Sequence, residues 1–166
     1  SELILNKDKS YICELTLGIT TDTYDSSGEI LERVDNFSFT KEEIEKAFDT
    51  QRGHIDQLPP MYSALKVNGK KLYEYARNGE NVKIEPRQIE IYSLELLNVD
   101  NINKTIHFKV ECSKGTYIRT LIDDIGKKLG CGACMLSLKR TRVGQFEIDD
   151  SLTLNQISAL LLKGEL

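Results

Sequence analysis

One arginine sits where helix physics disfavours it. In SKGTYIRTLIDD (113 to 124), Thr116 has the character of a helix N-cap. An apolar stripe at helical spacing follows it: Ile118, Leu121, Ile122, Ile125 and Leu129. Counted from Thr116, Arg119 is the third helical position, where Glu or Gln is favoured because it reaches back to the cap backbone. A cation there meets the positive end of the helix dipole. Two arrangements could reward it. An i, i+4 pair with Asp123 would stabilise by only ~0.2–0.5 kcal/mol. A half-buried place at the margin of the stripe, about 100° round the helix from Ile118, would let the guanidinium serve a buried carboxylate.

A second set of residues suits a polyanion. MYSALKVNGKKLYEYAR (61 to 77) interleaves Tyr62, Tyr73 and Tyr75 with Lys66, Lys70, Lys71 and Arg77. Aromatic rings stack on unpaired bases and cations meet phosphates. The same composition would also make a solvated basic helix with its tyrosines packed inward. Lys139, Arg140 and Arg142 form a further basic run. The net charge of −4 argues mildly against nucleic acid, but the charge is unevenly spread. Residues 20 to 57 hold ten acids and four bases, whereas residues 62 to 87 hold six bases and three acids. A polyanion would be met locally.

Other reactive residues point to less. Cys131-Gly-Ala-Cys134 could be half a zinc site or a redox pair. Zinc needs a second pair, and His54, His107, Cys13 and Cys112 are not in ligand spacing, so a structural role is favoured. His54 and His107 lack a nucleophile nearby and are expected at the surface. Asp22 and Asp25 in TTDTYD lack the Gly-plus-Glu frame of a calcium loop; side chains capping their own turn are the simpler reading. No metal and no cofactor are expected.

These residues need a scaffold. A chain of 166 residues makes one domain, or one domain with an insertion. No apolar run approaches the ~20 residues of a membrane span, no leader is expected, and four sparse cysteines suit a reducing cytoplasm. Alternation over SYICELTLG (10 to 18) predicts a strand, and EILERVDNF (29 to 37) a returning one. FTKEEIEKAFDTQRG (39 to 53) predicts a helix with Thr40 as cap, Glu43 completing a capping box and Gly53 as terminator. Residues 55 to 87 hold all three prolines and read as irregular, with a hairpin at Asn68-Gly69 and a short helix at 72 to 77. Strands are expected at 88 to 99 and 105 to 112, a helix at 116 to 129, a strand pair at 135 to 148 turning at Gly144, and a last helix from near Thr153. Short connections between strands imply an α+β fold with a mixed, largely antiparallel sheet flanked by helices.

QLPPMYSALKVNGKKLYEYARNG (57 to 79), KGTYIRTLIDDIGKKLGCGA (114 to 133), LKRTRVGQF (138 to 146) and KSYICELTLGITTDTYDSSGEI (9 to 30) together resemble the TruB family of bacterial tRNA pseudouridine synthases. The likeness runs in order over most of the chain. It implies a partial pseudouridine synthase catalytic domain over 1 to 166, with 57 to 86 as an RNA-gripping insertion called the thumb. It implies isomerisation of a T-loop uridine in tRNA without cofactor. Arg119 matches the arginine that pairs with the catalytic aspartate, Tyr11 the tyrosine that stacks on the target base and accepts its ring proton, and Leu138 the apolar residue that closes the pocket. Tyr62, Lys66, Lys70, Tyr73, Arg77, Arg87, Lys139, Arg140 and Arg142 are the expected RNA contacts, with the T-arm of tRNA as partner and no membrane.

One departure is large. The family's nucleophile lies in G-H-x-G-x-L-D, which does not occur among these residues; the resemblance places it upstream of Ser1. The resemblance also implies a C-terminal RNA-binding extension, which is not expected among these residues. The chain alone is therefore expected to be inactive, and to self-associate through apolar surface that the upstream segment would cover. A non-catalytic RNA-binding module is the second reading, and a Cys-x-x-Cys redox or zinc protein the third.

Overall fold

A computed structural model describes residues 8–147; the helix expected near Thr153 lies outside them. The elements are β1 (Lys9–Leu17), β2 (Ile19–Thr21), β3 (Ile30–Arg33), α1 (Lys41–Asp49), β4 (Gly53–Gln57), β5 (Lys66–Val67), β6 (Lys70–Lys71), α2 (Leu72–Arg77), β7 (Arg87–Asp100), β8 (Thr105–Cys112), α3 (Ile118–Leu129), β9 (Ala133–Val143) and β10 (Phe146–Glu147). Six strands form one sheet in the order β10-β9-β1-β8-β7-β4. All its pairings are antiparallel. The expected α+β class with a largely antiparallel sheet is thus what the chain forms.

Alternation decides which face is covered. Ile106, Phe108, Val110 and Cys112 of β8 are buried, while the residues between them are half-buried. The buried row joins Ile44 and Phe48 of α1 and Ile118, Leu121, Ile122 and Ile125 of α3 in one core, so both helices lie on one face. Phe48 meets Phe108 edge to face at 5.6 Å between centroids, a favoured aromatic geometry. The other face is polar: His107 lies 3.4 Å from Glu14, Lys109 3.7 Å from Glu111, and Arg142 3.8 Å from Glu111. The outward placement of His107 is as expected from its strand.

Local rules account for most boundaries. The Thr40–Glu43 capping box forms, with Glu43 N–H donating to Thr40 Oγ1 at 3.2 Å and Thr40 N–H to Glu43 Oε2 at 2.8 Å. The Asn68-Gly69 hairpin also forms, both residues at positive φ (52° and 80°), the pair of signs that a type I′ turn requires. Two expectations need correction. Gly53 does not end α1: Thr50 is its C-cap, and Gly53 opens β4. Residues 53 to 57, partly read as irregular, are an edge strand paired to β7. An edge strand needs only one inward row, and here that row is Ile55 and the polar Gln57, so the apolar signal was faint.

α3 approaches β9 at Gly126. A Cβ there would lie 2.3 Å from the Ala133 backbone nitrogen and 2.5 Å from the Gly132 carbonyl carbon. Helix propensity alone favours Gly126→Ala by ~1 kcal/mol, but overpacking against backbone costs ~1–3 kcal/mol. Gly126→Ala is expected to lower the urea midpoint; a raised midpoint would show that helix and sheet can separate freely.

Candidate active site

Arg119 is positioned by helix α3, but not as expected. Its N-cap is Tyr117, not Thr116, and Tyr117 makes no side-chain cap bond. The Thr116 hydroxyl instead donates to the Ser113 carbonyl at 2.9 Å, closing the tight SKGT turn. Arg119 is therefore the second helical residue. The alternative pair with Asp123 is not made: Lys127 takes that carboxylate at 2.6 Å. Arg119 turns away from the helix, and its two terminal nitrogens donate to carbonyls on separate loops, Thr23 at 2.9 Å and Tyr62 at 2.7 Å. A guanidinium is a planar fork, so two carbonyls fix its plane and leave its remaining N–H groups for an anion.

One carboxylate does lie beside it. Asp25 Oδ2 is 3.8 Å from Arg119, and both side chains are about one-fifth exposed (22% and 21%). The turn-capping role expected of Asp22 and Asp25 is present: Asp22 Oδ1 accepts from Glu29 N–H at 2.8 Å, and Asp25 Oδ1 accepts from Thr23 Oγ1 at 2.8 Å and Ser27 N–H at 3.0 Å. Burial pushes the Asp25 carboxyl up, but the hydrogen bonds from Ser27 and Thr23 and the Arg119 charge outweigh it and hold it below the usual range. Sequence reasoning passed over Asp25 as a neighbour of Arg119. No short-range spacing links positions 25 and 119; the loop is brought in by backbone bonds between Tyr24, Ser26 and Met135.

Tyr11 belongs to a second group. It is buried on β1, directly opposite Arg140 of β9, whose guanidinium carbon lies 5.6 Å from the ring centroid. Burial raises the Tyr11 hydroxyl pKa, and the Arg140 charge partly offsets that. Leu138 lies opposite Cys13 on the same row and is 43% exposed, beyond the helical cover. Lys139 falls opposite Ile12, on the other face. A register shift between Ser10 and Tyr11 puts Arg142 opposite Ser10. There it donates to Ser10 Oγ at 3.1 Å and to the Gly144 carbonyl at 2.7 Å.

The remaining basic and aromatic residues lie between β4 and β7. Gln57 and Arg87 face each other across that ladder, so residues 58 to 86 leave and rejoin the sheet at one point. Within the excursion Tyr73 is flanked by Lys71 (5.4 Å) and Arg77 (5.1 Å), and Tyr75 by Lys70 (4.6 Å). The Tyr75 hydroxyl donates to the Val67 carbonyl at 3.0 Å, and Lys70 meets Glu80 at 2.7 Å. Lys66, Arg77 and Arg87 are exposed, and Tyr62 is half-buried. Cys131 and Cys134 are both buried, and burial raises both thiol pKa values. Among the described residues, no helix is long and apolar enough to cross a membrane.

The model of the TruB family pseudouridylate synthase N-terminal domain matches residues 1–118. The chain belongs to this family. A second family model, the tRNA pseudouridylate synthase B C-terminal domain, matches residues 119–165. The division falls inside α3, while the sheet and core run across it. Curated relatives include a tRNA pseudouridine synthase B of Clostridioides difficile (strain 630), 57% identical over 94% of this chain and 52% of its own length. Another, from Clostridium tetani (strain Massachusetts / E88), is 46% identical over 95% of this chain and 54% of its own length. The chain therefore spans about half the length of these relatives. Among solved structures, a Cbf5–Nop10–Gar1 complex is similar with a TM-score of 0.69 and 26% identity, covering 98% of this chain and 39% of that one.

The lowered Asp25 pKa has a consequence for stability. A carboxyl whose folded pKa lies below its unfolded value stabilises the fold above the unfolded value, and that contribution is lost as pH falls through the folded one. The stability gap between the protein and Asp25→Asn should be full at neutral pH and narrow on acidification below pH ~4. Urea melts across that range check it; a gap independent of pH would remove the carboxylate charge from the account.

Proposed function

We propose that this chain carries the greater part of the catalytic domain of a tRNA pseudouridine synthase acting on a T-loop uridine. The observation that carries the reading is the 57% identity to a tRNA pseudouridine synthase B over nearly the whole chain. Isomerising a uridine requires the base to leave the stack, because stacking hides its glycosidic bond. The exposed Leu138 and Arg140 offer an apolar edge and a cation on one sheet face, with the buried Tyr11 ring beneath Arg140, which suits a flipped base. Arg119, held by carbonyls from separate loops, would meet the carboxylate that attacks or stabilises the sugar. Asp25 gives that guanidinium a second, permanent anion. The raised Tyr11 pKa favours a neutral phenol that stacks and exchanges hydrogen bonds, with Arg140 lowering the cost of any negative charge that develops on its oxygen. The excursion at 58 to 86 would grip the T-arm.

G-H-x-G-x-L-D is absent from these residues, so the chain on its own should bind RNA without turning it over. The test adds the 166-residue chain to a T-arm stem-loop and quantifies pseudouridine, with and without the sequence its reading frame encodes upstream. Turnover by the chain alone would refute the reading that its nucleophile lies elsewhere.

In the active protein, Arg119→Ala should lower turnover by roughly a hundredfold or more, since breaking a buried ion pair costs ~3–5 kcal/mol. A variant keeping a tenth of the rate would sink the assignment. Replacing Lys66, Lys70 and Arg77 by Ala should flatten the salt dependence of tRNA binding by about 0.7–0.9 in slope per lost phosphate contact. An unchanged slope would take this stretch out of the interface.

A further inference from the structure

The start of α3 is held from outside. Gln57 Nε2 donates to the Tyr117 carbonyl at 3.0 Å, and the Tyr117 N–H donates to Gln57 Oε1 at 2.7 Å. Gln57 is 1% exposed. The grip continues along both segments. Thr120 Oγ1 donates to the Leu58 carbonyl at 3.4 Å, and Arg119 donates to the Tyr62 carbonyl at 2.7 Å. Residues at the root of the 58 to 86 excursion thus hold the first turn of the helix that carries Arg119.

Packing alone does not call for an amide here. An apolar side chain of similar volume would fill the same space without the cost of taking an amide out of water. A buried amide is rewarded only by bonds at both its ends, and Gln57 makes both, to the backbone of the residue that caps α3. We propose that Gln57 is a positioning residue for the pseudouridylation reaction, setting the place of Arg119 through the cap of α3. The inference rests on the reading of Arg119 as a group acting at the reacting nucleotide. It adds that the RNA-gripping excursion and the reacting centre share one anchor. Gln57 is buried against the cap of α3, so on this proposal its effect appears in the rate and not in RNA affinity.

The test uses the full-length gene product under single-turnover conditions with a T-arm stem-loop. RNA affinity and thermal melting are measured alongside. Gln57→Met keeps volume and packing and removes both bonds. It should lower the rate about tenfold to a hundredfold, the range that a small misplacement can cost, while affinity stays near that of the parent and melting falls only as far as two lost hydrogen bonds allow. Gln57→Glu keeps the acceptor for the Tyr117 N–H but sets an oxygen against its carbonyl. It should also lose rate, and it replaces Met as the variant read if Met fails to fold. In an Arg119→Lys background, Gln57→Met should add no further loss, because residues that act through one another are not additive. A parental rate in Gln57→Met, a parallel loss of rate and RNA affinity, or losses that multiply in the double variant would each overturn the proposal. Should Arg119→Lys itself keep the parental rate, the reading of Arg119 fails, and this inference fails with it.

Discussion

Everything near the candidate site depends on how closely α3 can lie on the sheet. Its apolar stripe, Ile118, Leu121, Ile122 and Ile125, meets the inward row of β8, and Gly126 brings its backbone against the start of β9. Close approach without a side chain strengthens dispersion along the whole seam. It also sets two directions at once. Arg119, at the opposite end of the helix, is aimed by the helix axis. Leu138 and Arg140 are aimed by the strand that leaves the contact. The core therefore acts as a jig that registers residues far apart in the chain.

The elements whose periodicity was strong were legible before any coordinates. The stripe of α3, the alternation of β1 and β8, the Thr40–Glu43 box and the Asn68-Gly69 turn are each written in a few adjacent residues, because each is a local bargain between side chain and backbone. What was not legible is non-local. The cap of α3 moved from Thr116 to Tyr117 because its backbone is satisfied by Gln57, sixty positions away in the chain. β4 was faint because half of its inward row is that same glutamine. Asp25 was readable as a turn residue and unreadable as the neighbour of Arg119, since the β2–β3 loop is placed by backbone bonds to Met135. The resemblance supplied Arg119, Tyr11 and Leu138, but not the two groups into which their contacts divide.

The charge pattern has a structural side. The acids concentrated between positions 20 and 57 serve turns, caps and pairs: Asp22 and Asp25 bind their own loop, Glu43 closes a capping box, and Glu45 holds Arg52 at 3.1 Å. Several cations are likewise committed, Arg142 to Ser10 and Gly144 and Lys127 to Asp123. Part of the acidic surplus behind the net charge of −4 is thus committed inside the fold. Lys66, Arg77, Arg87, Lys139 and Arg140 are among the cations left exposed, and they are spread over the excursion and both faces of the β9 edge.

The pairing of Gln57 with Arg87 gives the excursion a closed neck. A segment whose two ends are stitched side by side can change in length or content while the sheet below keeps its register. The entropic cost of lengthening such a loop grows only logarithmically. The collar from Leu58 to Tyr62 does not share that freedom, because the Leu58 and Tyr62 carbonyls accept from Thr120 and Arg119 of α3 and the Gln57 amide holds its cap. A graft on this fold would therefore be tolerated beyond Tyr62 and resisted below it, which divides the excursion into an exchangeable tip and a fixed collar.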